Sequence, residues 1–153
     1  MPKLKSEGLN FIDLFAGCGG LSLGMEQAGF TPVYVNEINK DALATYLMNR
    51  REEFPYLDDP KFHSRNIKEC MDDKFFTTLK RNLKKQHGTS EIDLICGGPP
   101  CQGFSGIGIR RSYSVDKKHL PSNHLFEDMA RFVHKMQPKI FLFENVQGLM
   151  NAR

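Results

Sequence analysis

Apolar positions along the chain follow two spacings that alternate. Short, nearly continuous apolar runs occupy Asn10 to Phe15 (NFIDLF), Thr31 to Val35, Ile92 to Cys96 and Ile140 to Phe143, with a weaker run near Phe62 to Ser64. Between them apolar residues recur every three or four positions: Leu21, Met25 and Ala28 up to Gly29, then Leu43, Tyr46, Leu47 and Arg50. Phe75, Phe76, Leu79 and Leu83 form a third stripe before Gly88, and Leu125, Met129, Phe132, Val133 and Met136 a fourth that stops short of Pro138. The first spacing predicts buried strands and the second amphipathic helices. Residues 51 to 60, polar and holding Pro55 and Pro60, read as loop, and residues 103 to 121, with Gly103, Gly106 and Gly108, as a long loop of the kind that usually carries function.

Strands alternating with helices predict an α/β fold, a doubly wound and mostly parallel sheet joined by right-handed crossovers. A strand order of 3-2-1-4-5 would set the carboxyl ends of strands 1 and 4 beside the point where the order reverses, where ligands collect in such sheets. A length of 153 residues is one domain's worth.

Composition narrows the class. Hydrophobic residues make up 40% and charged residues 25%, as in an ordinary globular protein. No apolar run approaches the roughly 20 residues of a membrane span, and Met1-Pro2-Lys3-Leu4-Lys5 leads into no signal-peptide core, so a cytoplasmic protein without a membrane partner is expected. Cys18, Cys70, Cys96 and Cys101 show no disulfide framework spacing and should be reduced. The net charge of +3 is too small to demand a polyanionic partner, although Arg110, Arg111, Lys117 and Lys118 gather in one loop.

Three strand ends carry candidate chemistry. After strand 1, Gly17, Gly19 and Gly20 open a turn into a helix, where a nucleotide-like ligand can approach the backbone. Glu37, at the end of strand 2, is placed to bond ribose hydroxyls. Position 22 is Ser22, not the third glycine of a dinucleotide fingerprint, and Gly24 comes two residues later; that favours a single nucleoside. After strand 4, Gly97-Gly98-Pro99-Pro100-Cys101-Gln102-Gly103-Phe104-Ser105 holds a thiol on a stiffened turn. Cys101 reads either as a small buried hydrophobe or as a nucleophile, and the nearby basic loop favours the reactive thiolate. A zinc site using Cys96 with His119 and His124 lacks a second paired motif, so no metal is expected. After strand 5, Glu144 follows four apolar residues, and desolvation there would raise its pKa into a range useful to a proton donor.

Taken together these residues resemble the DNA (cytosine-5) methyltransferases. Phe11 to Gly20 (FIDLFAGCGG) is similar to that family's cofactor motif, Gly98 to Ser105 (GPPCQGFS) to its catalytic motif, and Glu144-Asn145-Val146 to its third signature, in order and across the whole chain. The resemblance implies a Rossmann-like methyltransferase fold holding S-adenosyl-L-methionine. Phe15, Gly17, Gly19 and Pro99 would line the cofactor, Glu37 would take its ribose, and Ile38, Asn66 and Ile67 would flank its adenine. It further implies Cys101 as a nucleophile toward C6 of cytosine and Glu144 as proton donor at N3, with Pro100 and Val146 completing the catalytic motifs. The partner would be double-stranded DNA with a flipped cytosine, in a restriction-modification system.

Two departures from the family pattern stand out. Asn66 occupies a position where the family usually has aspartate, and an amide oxygen still accepts a hydrogen bond from the adenine amino group. The sequence ends at Arg153, soon after the third signature. Residues 1–153 are therefore expected to form a single catalytic and cofactor-binding portion without the target recognition domain, which a second polypeptide could supply. Two other readings stand beside this one: a non-catalytic cofactor-binding fragment, and an RNA cytosine-5 methyltransferase. The residues after Cys101 favour DNA over RNA.

Overall fold

The computed structural model describes residues 8–100 and 124–145. Five parallel strands make one sheet in the order β3-β2-β1-β4-β5: β1 is Asn10–Leu14, β2 Thr31–Asn36, β3 His63–Ser64, β4 Leu94–Gly97 and β5 Ile140–Phe143. The helices between them are α1 (Gly20–Gln27), α2 (Lys40–Met48), α3 (Asp73–His87) and α4 (Leu125–Met136). The predicted fold class and strand order hold.

Every residue of β1 and β4 is buried, as the centre of a parallel sheet covered on both faces requires. One face, bearing Phe11, Leu94 and Cys96, packs against Leu21 and Met25 of α1. A larger cluster joins Ile12, Leu14 and Ile95 to Phe76, Leu79 and Leu83 of α3 and to Met129, Phe132 and Met136 of α4. Aromatic rings knit it together: Tyr34 stacks on Phe132 with centroids 6.2 Å apart, and Phe76 meets Phe132 edge-on at 5.2 Å.

Local chemistry sets the helix limits. The Asn39 side chain accepts from the amides of Asp41 and Ala42 at the start of α2, and that of Asp72 from the amide of Phe75 at the start of α3. Gly88, with φ of +78°, closes α3 as expected. Two expectations need correction. The strand predicted over Ile92 to Cys96 begins at Leu94, where pairing with β1 starts; the Asp93 amide just before it donates to the Asn10 side chain at 3.2 Å and not to the β1 backbone. The 51 to 60 stretch is more than a polar loop: Pro55–Asp58 is a 3-10 turn that buries Leu57 and brings Phe54 and Tyr56 against the core.

Candidate active site

All five strands point their carboxyl ends the same way, and the order reverses between β1 and β4. Leu14 and Gly97 are register partners there. A Cβ at Gly97 would lie 2.5 Å from the Leu14 carbonyl oxygen, so only glycine lets the two strand ends come this close.

Just past β1 the chain turns sharply. Phe15 adopts a left-handed φ of +59°, and Gly17 and Gly19 adopt +56° and +90°. A bulky residue in that region is strained, by about 1–3 kcal/mol, and such strain gathers at functional sites. Phe15 lines a cavity of about 170 Å³ together with Asp13, Ala16, Leu21, Gly98 and Glu144. The described residues alone thus outline a space smaller than the roughly 300–1,000 Å³ of typical ligand pockets.

The end of β2 grips this turn. Glu37, 8% exposed, accepts from the Gly17 amide at 2.8 Å and from the Asn39 amide at 2.7 Å, one bond to each carboxylate oxygen. Its neighbour Ile38 is open at 63% exposure, with Arg65 donating to the Ile38 carbonyl. Asn66 caps the 3-10 turn Ile67–Cys70 by accepting from the Lys68 amide, and Ile67 is buried in the core. Of the two isoleucines expected beside an adenine, Ile38 is the one with a free side-chain surface.

On the other side of the cavity, Gly98 gives room to Glu144: a Cβ at Gly98 would stand 2.8 Å from Glu144 Oε2. The Glu144 amide donates to the Gly97 carbonyl, and the Asn145 side chain donates to the Pro99 carbonyl at 3.2 Å. These bonds join the approach to the cysteine turn with the end of β5. Glu144 is exposed, against the expectation of a desolvated carboxyl. The reason is topological: β5 is the sheet edge, its four residues are all exposed, and the residue after it shares that exposure. Pro99 is buried and Pro100 exposed. Cys101, Val146, His119 and the loop expected over residues 103 to 121, with its basic Arg110, Arg111, Lys117 and Lys118, lie outside the described residues.

Sequence reasoning missed the polar network beneath the turn. Asp13, 1% exposed within β1, accepts from Ser22 Oγ at 2.6 Å, and Ser22 Oγ lies 2.8 Å from Tyr46 Oη. Burial raises the Asp13 carboxyl to about 6, with the Ser22 hydroxyl and the Arg50 charge opposing the rise. The Cys96 thiol, register partner to Asp13 in β4, is pushed up by burial and then by the Asp13 charge, which leaves it inert. The one visible signal for this network was a charged residue inside an apolar strand run. Among the described residues no cluster of His, Cys, Asp or Glu could hold a metal ion, and no helix is long and apolar enough to cross a membrane.

A second, larger hollow of about 510 Å³ lies between α4 and β5, lined by Phe126, Met129, Val133, Phe141 and Phe143 among others. It shares no lining residue with the cavity at the strand ends.

Comparison with known proteins bears on this site. Residues 9–153 match the family model for C-5 cytosine-specific DNA methylase. The chain is 36% identical to the type II methyltransferase M.AgeI of Thalassovita gelatinovora, over 92% of this chain and 28% of that protein. It is 39% identical to the type II methyltransferase M1.HphI of Haemophilus parahaemolyticus, over 92% of this chain and 33% of that protein. Among solved structures, a provisionally assigned DNA modification methyltransferase encoded within an E. coli prophage superposes with a TM-score of 0.63 at 35% identity, covering 93% of this chain and 33% of that one. The S. pombe Dnmt2 methyltransferase shares the fold, with a TM-score of 0.54 at 18% identity, covering 95% of this chain and 36% of that one. The chain thus spans about a third of the length of these relatives.

Proposed function

The chain belongs to the C-5 cytosine-specific DNA methylase family, and from that premise we propose that it forms the cofactor-holding and nucleophile-bearing part of an enzyme that methylates C5 of cytosine in DNA. The observation that carries this reading is the convergence of the ends of β1, β4 and β5 on one cavity, lined by Phe15, Gly98 and Glu144. The type II names of its relatives support a role in restriction-modification.

The residues present fit S-adenosylmethionine. A glycine turn at a helix start suits a charged, close-lying ligand. Glu37 holds a carboxylate at its edge whose remaining lone pairs can accept from a ribose diol. Ile38 offers an open apolar surface to adenine, and Asn66 an amide oxygen to its amino group. When bound, this cofactor supplies an electrophilic methyl group on sulfur.

The chain's own residues would do the rest. C5 of cytosine is too electron-poor to take a methyl group unaided. The Cys101 thiolate adds to C6, forming an S–C bond and pushing electrons toward N3 and C5. Glu144, exposed in this chain, would hold the N3 and N4 edge of the base and donate a proton to N3 as charge develops there once the bound base and the completing protein cover its carboxyl. Attack by C5 on that methyl group would break its bond to sulfur and release S-adenosylhomocysteine; loss of the C5 proton to water, with the N3 proton returning to Glu144, would restore the double bond and expel the Cys101 thiolate. The target base has to leave the duplex to reach the thiol, at a cost of a few kcal/mol. Arg110, Arg111, Lys117 and Lys118 are the candidates for phosphate contacts.

Residues 1–153 are proposed as one domain portion that works with further protein, on the same or a separate polypeptide, supplying target recognition. The exposed apolar strand β5 and the hollow beside it support this, since apolar edges of that kind are ordinarily covered. The test is a trapping assay: the chain, supplied with the remaining portion of a relative, is incubated with cofactor and duplex DNA carrying 5-fluorocytosine. Wild type should give a denaturation-resistant protein–DNA adduct and Cys101→Ser none. If the two behave alike, the reading fails.

A further inference from the structure

Arg50 stands two residues past the end of α2, 31 residues from Gly19, yet it is almost fully buried beneath the glycine turn. Its guanidinium is shared among three acceptors. Nη2 donates to the Gly19 carbonyl at 3.0 Å, Nη1 to the Tyr46 carbonyl at 3.3 Å, and Nε to Glu26 Oε1 at 2.5 Å. The same plane lies over the Tyr46 ring, 3.9 Å from its centroid. Gly19 is shaped to receive it, since a Cβ there would meet Arg50 Nη1 at 2.5 Å and Tyr46 Cδ2 at 2.7 Å.

The charge is placed against the ordinary preference. Gly19 is the N-cap of α1, an end that favours anions, and its carbonyl already accepts from the Leu23 amide. A cation buried there is tolerable because Glu26, in the last turn of α1, neutralises it; the Glu26 side chain is only 15% exposed. A buried ion pair is weak evidence for added stability; here it is the three hydrogen bonds in one plane that define the geometry.

The turn is therefore held from two sides by one β2–α2 unit: Glu37 accepts from the Gly17 amide, and Arg50 donates to the Gly19 carbonyl. The two holds are not equivalent. Glu37 is a residue that the proposed cofactor reading also engages with ribose, so one carboxylate serves the turn and the ligand together. Arg50 is buried among Gly19, Tyr46 and Glu26 and is assigned no ligand contact in that reading.

We propose that Arg50 is a positioning residue that fixes the left-handed conformation of the glycine turn for cofactor binding, with Glu26 as its charge partner. The bearing on cofactor rests on the proposed function; the hold on the turn does not. An arginine is required by the geometry, because lysine keeps the charge but cannot bond three acceptors in one plane.

Two readouts test this on the full chain. Amide hydrogen exchange should rise at least tenfold at Gly17 and Gly19 in Arg50→Met while the β1 and β4 amides stay protected. Arg50→Lys should show an intermediate rise. Glu26→Gln, which leaves the arginine in place but unpaired, keeps the proposal falsifiable if Arg50→Met does not fold, and should raise exchange at the same two amides. Unchanged exchange at Gly17 and Gly19, or a uniform rise that includes β1 and β4, would overturn the proposal, the latter pointing to a merely structural role. Calorimetric titration with S-adenosylhomocysteine, on the chain supplied with the remaining portion of a relative, separates the two ideas. Binding by wild type that weakens tenfold or more in Arg50→Met supports both, and equal binding by the two proteins overturns the positioning role. A wild type that takes no ligand overturns the cofactor reading, and exchange then decides Arg50 alone.

Discussion

The two halves of the site are built differently. At the ends of β1 and β2 the chain is closed in on itself: Glu37 and Arg50 hold the glycine turn, Asp13, Ser22 and Tyr46 support it, and all five of these side chains are buried. At the ends of β4 and β5 the chain is open. Ile140 is 66% exposed and Phe141 60%, Glu144 faces solvent, and two hydrogen bonds tie Gly97 and Pro99 to Glu144 and Asn145. The half assigned to the cofactor is shaped by its own neighbours. Among the described residues, the half proposed for catalysis is not enclosed in the same way, as suits a region that other protein completes.

Three substitutions put this contrast at risk. Glu144→Gln should lower the rate of methyl transfer by on the order of 10²–10⁴ in the completed enzyme, the range for loss of a general acid. Because the side chain is exposed, the urea midpoint of the chain should not move. A midpoint that falls with the rate would show that Glu144 supports the fold, and the open half would not be open.

Asp13→Asn probes the closed half through pH. The wild-type carboxyl rises from 3.8 to about 6 in the folded state, so the fold binds more protons than the unfolded chain between those values. Its contribution is fully present below about 4 and is lost as pH rises through about 6, amounting to about 3 kcal/mol by alkaline pH. Relative to wild type, the variant should therefore gain about that much stability between pH 4 and pH 8. His87, whose pKa burial lowers, works in the opposite direction, losing stability as pH falls below its ordinary 6.5, but both proteins share it and the difference cancels. Parallel stability profiles for the two proteins would contradict a buried, charge-strained Asp13.

The smallest effect belongs to the edge. Phe141→Ser should change the stability of this chain by no more than about 0.5 kcal/mol, as at an ordinary surface position. A cost of several kcal/mol would mean that β5 is covered in solution.

How far the sequence foretold these features depends on how local each cause is. Strands and helices were legible because a parallel sheet buried on both faces writes itself as apolar runs, and Ile12, Leu14 and Ile95 are such residues. The turn at Pro55–Asp58 was not, because a 3-10 anchor has no period and Pro55 reads as loop. Glu144 stands at the end of β5 as expected, but its environment is not the expected one: four apolar neighbours in sequence do not reveal whether a strand is central or at the edge. Arg50 was visible on a helical face, but its target, Gly19, lies 31 residues back, and nothing in the spacing connects them.

Gly97 bears on distance as well as on packing. It fixes how far apart the ends of β1 and β4 stand, since Leu14 and Gly97 are register partners there, and in the proposed reading that gap separates the cofactor turn from the segment leading to the nucleophile. Even one methyl group at this point would act as a shim, pressing on the Leu14 carbonyl oxygen and spreading the strand ends. A displacement of about 1 Å between reacting groups can cost on the order of 10²-fold in rate. The side chain that is missing at position 97 is in that sense the gauge of the proposed reaction.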